Sequence, residues 1–251
     1  MNEEFSRTEM LLGASAMKRL GAARIAVFGL GGVGGYVVEA LARCGVGELT
    51  LVDHDTVSVS NINRQIIALH STVGLYKADV WARRVADISP GTKADARRVF
   101  FGKDNADSFD LARYDYVVDA IDTVTNKLIL ICACRDAGTP IISSMGAGNK
   151  LDPKGFEVAD VYSTSFCPLA RVMRKELKKR GVDRLKVVYS KEEPAARRAD
   201  AQEPERAGSD DGTAAPRRKD VPGSISFVPS AAGLVIASEV VRDLCMGVKD
   251  D

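Results

Sequence analysis

The sequence of 251 residues lacks the features that mark zinc-binding and disulfide-bonded proteins. Its five cysteines include no Cys-x-x-Cys pair. Their number is odd, which argues against a framework of paired disulfides. Zinc usually takes about four thiolate or imidazole ligands. Only scattered cysteines and two histidines, His54 and His70, are present. We therefore expect no zinc site, and the unpaired cysteines indicate a reducing compartment.

Long apolar runs and a strong charge imbalance are also missing. No apolar run approaches the roughly 20 residues that span a bilayer. Residues 1–12 carry Glu3, Glu4 and Arg7 instead of the apolar core of a signal peptide. The formal net charge is only +1, so any affinity for a polyanion must come from a local cluster. We expect a soluble cytoplasmic protein without membrane contact, folded as a single domain over residues 1–251.

Residues 24–55 form the pattern of a nucleotide-binding unit. An apolar run at 25–28 predicts a buried strand, and a helical pattern later leads to a second strand at 49–52 that ends in Asp53. The turn between them has the G-x-G-x-x-G spacing, and its glycines are Gly29, Gly31, Gly32 and Gly34. Such glycines let the backbone approach phosphates at a helix N-terminus, and an acid about 20 residues later can bind ribose hydroxyls. A nicotinamide-dependent oxidoreductase is one function that this pattern leaves open.

Strands and helices alternate through residue 144, which predicts an α/β fold with a doubly wound, mostly parallel, Rossmann-like sheet. We expect residues 24–150 to form the nucleotide-binding core and residues 151–251 to form a C-terminal extension that faces the substrate. Residues 191–222 contain little to bury, so we expect a disordered loop there. The elements predicted for the extension are strands at 156–161, 185–189 and 224–228, a basic helix at 169–180 and a helix at 231–246.

The polar residues near the ends of these strands resemble a known family, the adenylating domain of the ubiquitin-activating-enzyme superfamily. The matching pattern is Gly29-x-Gly31-Gly32-Val33-Gly34, Asp53-x-Asp55, Asn61-x-x-Arg64-Gln65, Lys77 and Asp119-x-x-Asp122. This set of spacings is far more specific than the glycines alone. The resemblance implies that the nucleotide is ATP rather than NAD, and that the reaction adenylates a carboxylate.

The resemblance also implies a role for individual residues. Asp53 would bind the ribose of ATP, and Asp122 would bind Mg²⁺. Three further residues, Asn61, Arg64 and Lys77, would face the triphosphate. Their two cations would offset the negative charge that grows on the phosphates as the carboxylate attacks. Arg7 would reach the triphosphate of a partner subunit, which implies a homodimer.

Each of these residues has an ordinary structural interpretation as well. Arg7, Arg64 and Lys77 could be solvated surface charges. Asp122 could cap a helix, and Asp55 could cap a turn. The functional interpretation is favoured because most of these residues fall near the carboxyl ends of strands, where open α/β sheets bind their ligands.

The C-terminal half resembles one branch of this superfamily, the tRNA threonylcarbamoyladenosine dehydratases. The matching segments are Gly146-Ala-Gly148, Asp152-Pro153, Pro168-Leu169-Ala170, Tyr189-Ser190 and residues 224–233. This resemblance implies ATP-dependent cyclisation of a modified adenosine in tRNA through an acyl-adenylate. The second nucleophile then belongs to the substrate, so we expect Cys167 to have a structural role.

The basic helix offers a binding surface for tRNA. The cations that we expect to contact the phosphate backbone are Arg171, Arg174, Lys175, Lys178 and Lys179. A solvated helix face would have the same composition. Two other functions stay open: adenylation of the C-terminus of a ubiquitin-like sulfur carrier, and a non-catalytic role as a nucleotide-sensing tRNA chaperone.

Overall fold

A seven-stranded sheet forms the centre of the structure, a computed structural model that describes residues 3–196 and 222–246. The strands are β1 (Arg24–Phe28), β2 (Glu48–Val52), β3 (Lys93–Arg97), β4 (Tyr116–Asp119), β5 (Ile141–Ser144), β6 (Phe156–Asp160) and β7 (Lys186–Ser190). Their order across the sheet is β3-β2-β1-β4-β5-β7-β6. Only the pair β6 and β7 is antiparallel among these neighbours. The mostly parallel α/β fold expected from the sequence is confirmed.

Helices cover both faces of the sheet. They are α1 (Ser6–Leu12), α2 (Ala14–Ala22), α3 (Gly34–Arg43), α4 (Lys77–Ile88), α5 (Val124–Ala137), α6 (Pro168–Lys179) and α7 (Phe227–Met246). Alternate residues of a strand point to opposite faces. Ile25 and Val27 accordingly lie in a core shared with α2, α3, α4 and α7, whereas Ala26 and Phe28 pack with α5. The sheet is therefore doubly wound, and α6 extends the α5 side.

The strand expected at residues 224–228 is wrong, because α7 already begins at Phe227. Val228 is fully buried, and Ala232 and Ile236, which are also fully buried, follow it at helical spacing. Pro229 falls in the first turn of α7, where a missing N–H group leaves no helical hydrogen bond unmade. The last two residues of the alternating run at 224–228 thus form the start of a helix. Phe227 remains 44% exposed.

Other boundaries agree closely with the pattern of the sequence. Two short helices meet at Gly13, which has φ +83°. The basic helix expected at 169–180 spans Pro168–Lys179, and the helix expected at 231–246 begins earlier, at Phe227. The loop expected at 191–222 falls mostly outside the described residues. No described helix combines the length and the apolar character needed to cross a bilayer.

Candidate functional site

A cavity of about 580 Å³ lies at the carboxyl ends of β1, β2, β4 and β5. It brings together nearly all the residues that the sequence selected. Those that line it are Gly29, Gly31, Gly32, Asp53, Asp55, Asn61, Arg64, Lys77 and Asp122. Gly34 begins α3 just behind the turn, and Arg7 lies exposed on α1. A larger groove of about 940 Å³ runs along α5 and contains none of these residues.

The glycine turn between β1 and α3 is set by close backbone approach. Gly29 has φ +87°, and a Cβ atom there would lie 2.5 Å from the carbonyl oxygen of Ala120. A Cβ atom on Gly34 would lie 1.8 Å from the carbonyl oxygen of Gly29. These two glycines are required by the fold itself. A Cβ atom on Gly31 would have only Gln65 within 4 Å, so a ligand that approaches the backbone explains Gly31 better than packing does.

The carboxylate of Asp53 is fixed by the backbone around it. One oxygen accepts the N–H of Leu30 at 2.7 Å, and the other accepts the N–H of Asp55 at 2.8 Å. The residue is 9% exposed and lines the cavity. A carboxylate oxygen can accept more than one hydrogen bond. Asp53 can therefore accept ribose hydroxyls without giving up its backbone bonds.

Lys77 is held at the cavity wall by Asp55. The Lys77 ammonium lies 2.7 Å from Oδ2 of Asp55, and the Lys77 N–H donates to the Asp55 carbonyl at 3.0 Å. The Lys77 side chain is only 6% exposed, whereas that of Asp55 is 51% exposed. His54 lies on the other side of this carboxylate, with Nε2 3.2 Å from Oδ1. The arrangement places a positive charge beside the cavity on a rigid helix start.

Arg64 and Asn61 occupy a short loop that enters the cavity after β2. The Arg64 guanidinium donates to the Ser60 carbonyl and to the Asn63 amide oxygen, both at 2.9 Å. Burial lowers the pKa of Arg64 from its ordinary value, although an arginine remains charged at neutral pH. The Asn61 amide oxygen accepts the Ser58 N–H at 3.2 Å. These bonds hold two polar side chains toward the glycine turn.

The loop after β4 carries Asp122 and is stabilised by a buried ion pair that the sequence did not reveal. Lys127 and Asp119 are both 0% exposed, and their charged atoms lie 3.0 Å apart. Lys127 also donates to the Ile121 carbonyl at 3.1 Å, while Asp119 accepts the Ile121 N–H at 3.1 Å. Ser143 donates to the same carboxylate at 2.6 Å. The only signal in the sequence was a lysine within the apolar pattern of α5.

Asp122 itself presents an exposed carboxylate to the cavity. Among the described residues it has no side-chain partner, in contrast to Asp53 and Asp55. Mg²⁺ prefers carboxylate oxygens as ligands. The free carboxylate of Asp122 therefore fits the metal that the family resemblance implied at this position.

Two buried polar atoms in the cavity wall have no hydrogen-bond partner within the described protein. They are Oε1 of Gln65 and Oγ1 of Thr123. Gln65 is 6% exposed, and both residues line the cavity. Because an unpaired buried polar atom costs free energy, these atoms indicate a polar ligand. In the sequence Gln65 ends the motif Asn61-x-x-Arg64-Gln65, from which no role was predicted for it.

The basic helix α6 does not offer all of its cations to a ligand. The Arg174 guanidinium donates to the Thr164 carbonyl at 3.0 Å and also to the Thr164 hydroxyl. Lys179 pairs with Glu176 at 2.6 Å. Arg171, Lys175 and Lys178 are exposed, and no ion pair within the described residues involves them. Cys167 caps α6 and is 2% exposed, with Sγ accepting the Ala170 N–H at 3.5 Å.

Comparison with known proteins shows the family of this chain. The model of the ThiF family matches residues 5–249, and the chain belongs to that family. A tRNA threonylcarbamoyladenosine dehydratase of Bacillus subtilis is 40% identical over 250 residues, which cover 99% of this chain and 97% of the relative. The enzyme of that name in Escherichia coli is 42% identical over 176 residues, which cover 70% of this chain and 66% of the relative.

A solved structure gives the same result. The crystal structure of the E. coli tRNA N6-threonylcarbamoyladenosine dehydratase in complex with ATP superposes with a TM-score of 0.84 at 33% identity, covering 98% of this chain and 95% of that chain. The E. coli MccB structure, at 17% identity and a TM-score of 0.65, shows a likeness of fold alone. The resemblance drawn from the sequence is confirmed, and ATP is the nucleotide bound by the similar structure.

Proposed function

We propose that this protein catalyses the ATP-dependent cyclisation of threonylcarbamoyladenosine in tRNA. The observation that carries the proposal is the cavity at the ends of β1, β2, β4 and β5. In it a glycine turn, a fixed acid and two cations surround a space suited to a nucleotide. The similarity to the dehydratases over nearly the full chain supports the choice of substrate.

The first step is the transfer of an adenylyl group. An oxygen of the substrate's threonyl carboxylate attacks the α-phosphorus of ATP, the bond to the β-phosphate oxygen breaks, and pyrophosphate leaves. Arg64 and Lys77 offset the negative charge that develops on the phosphates. Asp53 holds the ribose, so the reacting phosphate lies at the glycine turn. The product is an acyl-adenylate, a mixed anhydride of the substrate acid and AMP.

The second step closes a ring within the substrate. The carbamoyl oxygen attacks the activated carbonyl carbon, a carbamoyl nitrogen loses its proton, and the bond to AMP breaks. One carboxylate oxygen leaves with AMP, so the net change in the nucleoside is the loss of water. No protein nucleophile is required, and the buried position of Cys167 at the start of α6 suits a structural role.

Magnesium would bind through Asp122. Its carboxylate is exposed to the cavity and lies on the loop that the buried pair of Asp119 and Lys127 supports. When bound, Mg²⁺ supplies charge neutralisation to the phosphate oxygens. Asp122 and the supported loop would thus set the place at which the metal charge acts.

We further propose a cytoplasmic homodimer in which Arg7 serves the site of the partner subunit. Arg7 does not line the cavity of its own chain. It lies on α1, a short arm whose Met10 is 84% exposed and Leu11 87% exposed. An apolar pair this exposed beside a functional cation favours contact with a second copy. Free cysteines throughout the chain favour a reducing compartment.

Pyrophosphate release tests the proposal directly. Purified protein with ATP, Mg²⁺ and tRNA bearing threonylcarbamoyladenosine should release pyrophosphate and yield the cyclic nucleoside, detected by mass spectrometry of digested tRNA under mild conditions. Arg64→Ala and Lys77→Ala should each lower the rate by roughly 10²–10³, the usual cost of one lost electrostatic donor. Arg83→Ala, which removes an exposed cation from the same helix as Lys77, should leave the rate unchanged.

The same assay separates the alternatives. Full turnover in both the Arg64→Ala and Lys77→Ala variants would contradict the assignment of these cations. Pyrophosphate exchange that needs a ubiquitin-like carrier ending in two glycines, and that ignores tRNA, would instead favour a sulfur-carrier adenylyltransferase. Modification that persists in cells carrying only the Asp122→Ala variant would favour a non-catalytic role for this protein.

A further inference from the structure

Phe166, just before α6, is an aromatic residue that the backbone holds in solvent. Its ring is 57% exposed, and its φ is +55°, a value that bulky residues rarely adopt. The Cys167 N–H donates to the Ser165 carbonyl at 2.6 Å. This bond between residues two apart closes a γ-turn with Phe166 at its centre, and positive φ marks the rare, strained form of that turn. Strain of this kind tends to occur at functional positions.

The residues on both sides of Phe166 are firmly anchored. Thr164 is 8% exposed and binds the Arg174 guanidinium through its carbonyl, at 3.0 Å, and through its hydroxyl. Cys167 is 2% exposed and caps α6. The turn between these two buried residues therefore cannot relax by moving as a whole. The fold itself imposes the exposed position of the ring.

Phe166 also lies close in the chain both to the cavity wall and to the exposed cations of α6. Gly146 and Leu169 line the cavity. A Cβ atom on Gly146 would lie 3.9 Å from the Cys167 sulfur, so the residue next to Phe166 lies near that part of the cavity wall. Beyond Leu169, α6 presents the exposed cations Arg171, Lys175 and Lys178. An RNA chain that enters the cavity and also contacts this helix would therefore come near Phe166.

We propose that Phe166 is a stacking platform for an unpaired base of the RNA substrate, next to the nucleoside that enters the cavity. The proposal rests on the proposed function, since it takes tRNA as the substrate. Unpaired bases of RNA loops commonly stack on exposed aromatic rings, while neighbouring cations contact the phosphates. Arg171, Lys175 and Lys178 supply those cations here. Arg174 instead supports the turn that presents the ring.

Loss of the ring should weaken RNA binding. Phe166→Ala should raise the dissociation constant for tRNA by roughly 5- to 100-fold at fixed ionic strength, the usual effect of one lost stacking contact. Phe166→Gly, which suits the positive φ and removes the same ring, should have the same effect without disturbing the turn. Val172→Ala, a matched control at a 45% exposed apolar residue of α6, should leave tRNA affinity unchanged. ATP affinity should stay constant in all three variants.

Phe166→Trp provides a readout that a structural role would not give. This variant should retain tRNA affinity, and tRNA should quench its fluorescence because the indole stacks on a base. The native protein has a single tryptophan, Trp81, which is 0% exposed and gives a constant background. Unchanged tRNA affinity in Phe166→Gly, or no quenching in Phe166→Trp, would overturn the platform while leaving the proposed function intact.

Two further outcomes are distinct from these. In one, Phe166→Gly weakens a dimer in sedimentation experiments, yet the variant binds tRNA normally at concentrations at which it is still dimeric. The ring is then a subunit contact and the platform is refuted. If the wild-type protein neither binds nor modifies tRNA, the proposed function fails, and the platform fails with it. Reduced affinity in both ring-deleted variants, together with quenching in Phe166→Trp, supports the proposal.

Discussion

Lys127 is the residue whose replacement tests most sharply how the loop at the site is supported. Its ammonium lies 3.0 Å from the Asp119 carboxylate, and both side chains are 0% exposed. With an effective dielectric constant of about 20, unit charges at that distance attract each other by about 5 kcal/mol. Removing one partner of a buried ion pair typically costs about 3–5 kcal/mol, because the other charge is left without compensation. We expect Lys127→Met to destabilise the protein by this amount.

The assay is thermal and urea unfolding at one fixed protein concentration, since association would otherwise change the apparent stability. For a chain of this size, about 3–5 kcal/mol corresponds to a fall in Tm of roughly 6–20 °C. The matched control is the double variant Lys127→Met with Asp119→Asn, which removes both charges. It should be more stable than Lys127→Met alone, because no uncompensated charge remains buried.

The same substitution should also affect the site. Lys127 donates to the Ile121 carbonyl at 3.1 Å, one residue before Asp122. Without that bond the loop that carries Asp122, the proposed Mg²⁺ ligand, loses one support. Adenylate formation should therefore need more Mg²⁺ even below the unfolding temperature. A Tm for Lys127→Met within roughly 2 °C of wild type would refute the reasoning, because such a shift corresponds to less than about 1 kcal/mol. A double variant less stable than Lys127→Met alone would refute it as well.

Two further predictions concern titratable groups. Burial alone would raise the pKa of Glu39, but hydrogen bonds from Arg84 and Arg43 outweigh it and lower the pKa. The ionised Glu39 should therefore stabilise the protein above about pH 4.3, and this contribution should vanish as the pH falls through the lowered pKa. Urea unfolding of Glu39→Gln against wild type should show a difference at pH 6 that shrinks as the pH is lowered below about 4.3. Burial, with a smaller effect of Asp119, raises the pKa of Cys134 to about 12, so alkylation at pH 8 followed by peptide mass spectrometry should leave Cys134 unmodified in the native protein and modify it in urea.

Local patterns explain why much of the fold could be predicted from the sequence. The strands that form the sheet centre are short apolar runs, and the glycine turn stands between a strand and a helix, with an acid after the next strand, a context typical of nucleotide-binding units. The glycine turn and Asp53 could be selected because they follow strands of a parallel sheet, and such strand ends meet at one edge. The roles expected of Asn61, Arg64, Lys77 and Asp122 came instead from the resemblance to the adenylating domain, and the structure brings these residues into the same cavity.

The parts that could not be predicted depend on contacts between distant residues. The run at 224–228 alternates like a strand, and only the packing of α7 against the core shows that its last residues begin a helix. Arg174 belongs by sequence to a row of cations, yet its partner is Thr164, on the loop before the helix. The ion pair of Lys127 with Asp119 likewise depends on how α5 packs beneath β4. In each case the residue types are visible in the sequence, but the residues that they contact in the fold are not.

Residues 222–224 show why the core and the C-terminal extension work as one site. The Gly223 N–H donates to the Asn149 amide oxygen at 2.6 Å, and the Asn149 N–H donates to the Gly223 carbonyl at 2.8 Å. Asn63, beside Arg64, donates to the Ser224 carbonyl at 3.0 Å. This short segment thus joins the loop that carries Arg64 to the loop after β5. Because the cavity wall between those loops comes from the extension, a nucleotide-binding core that ended near residue 150 would lack one side of its own site.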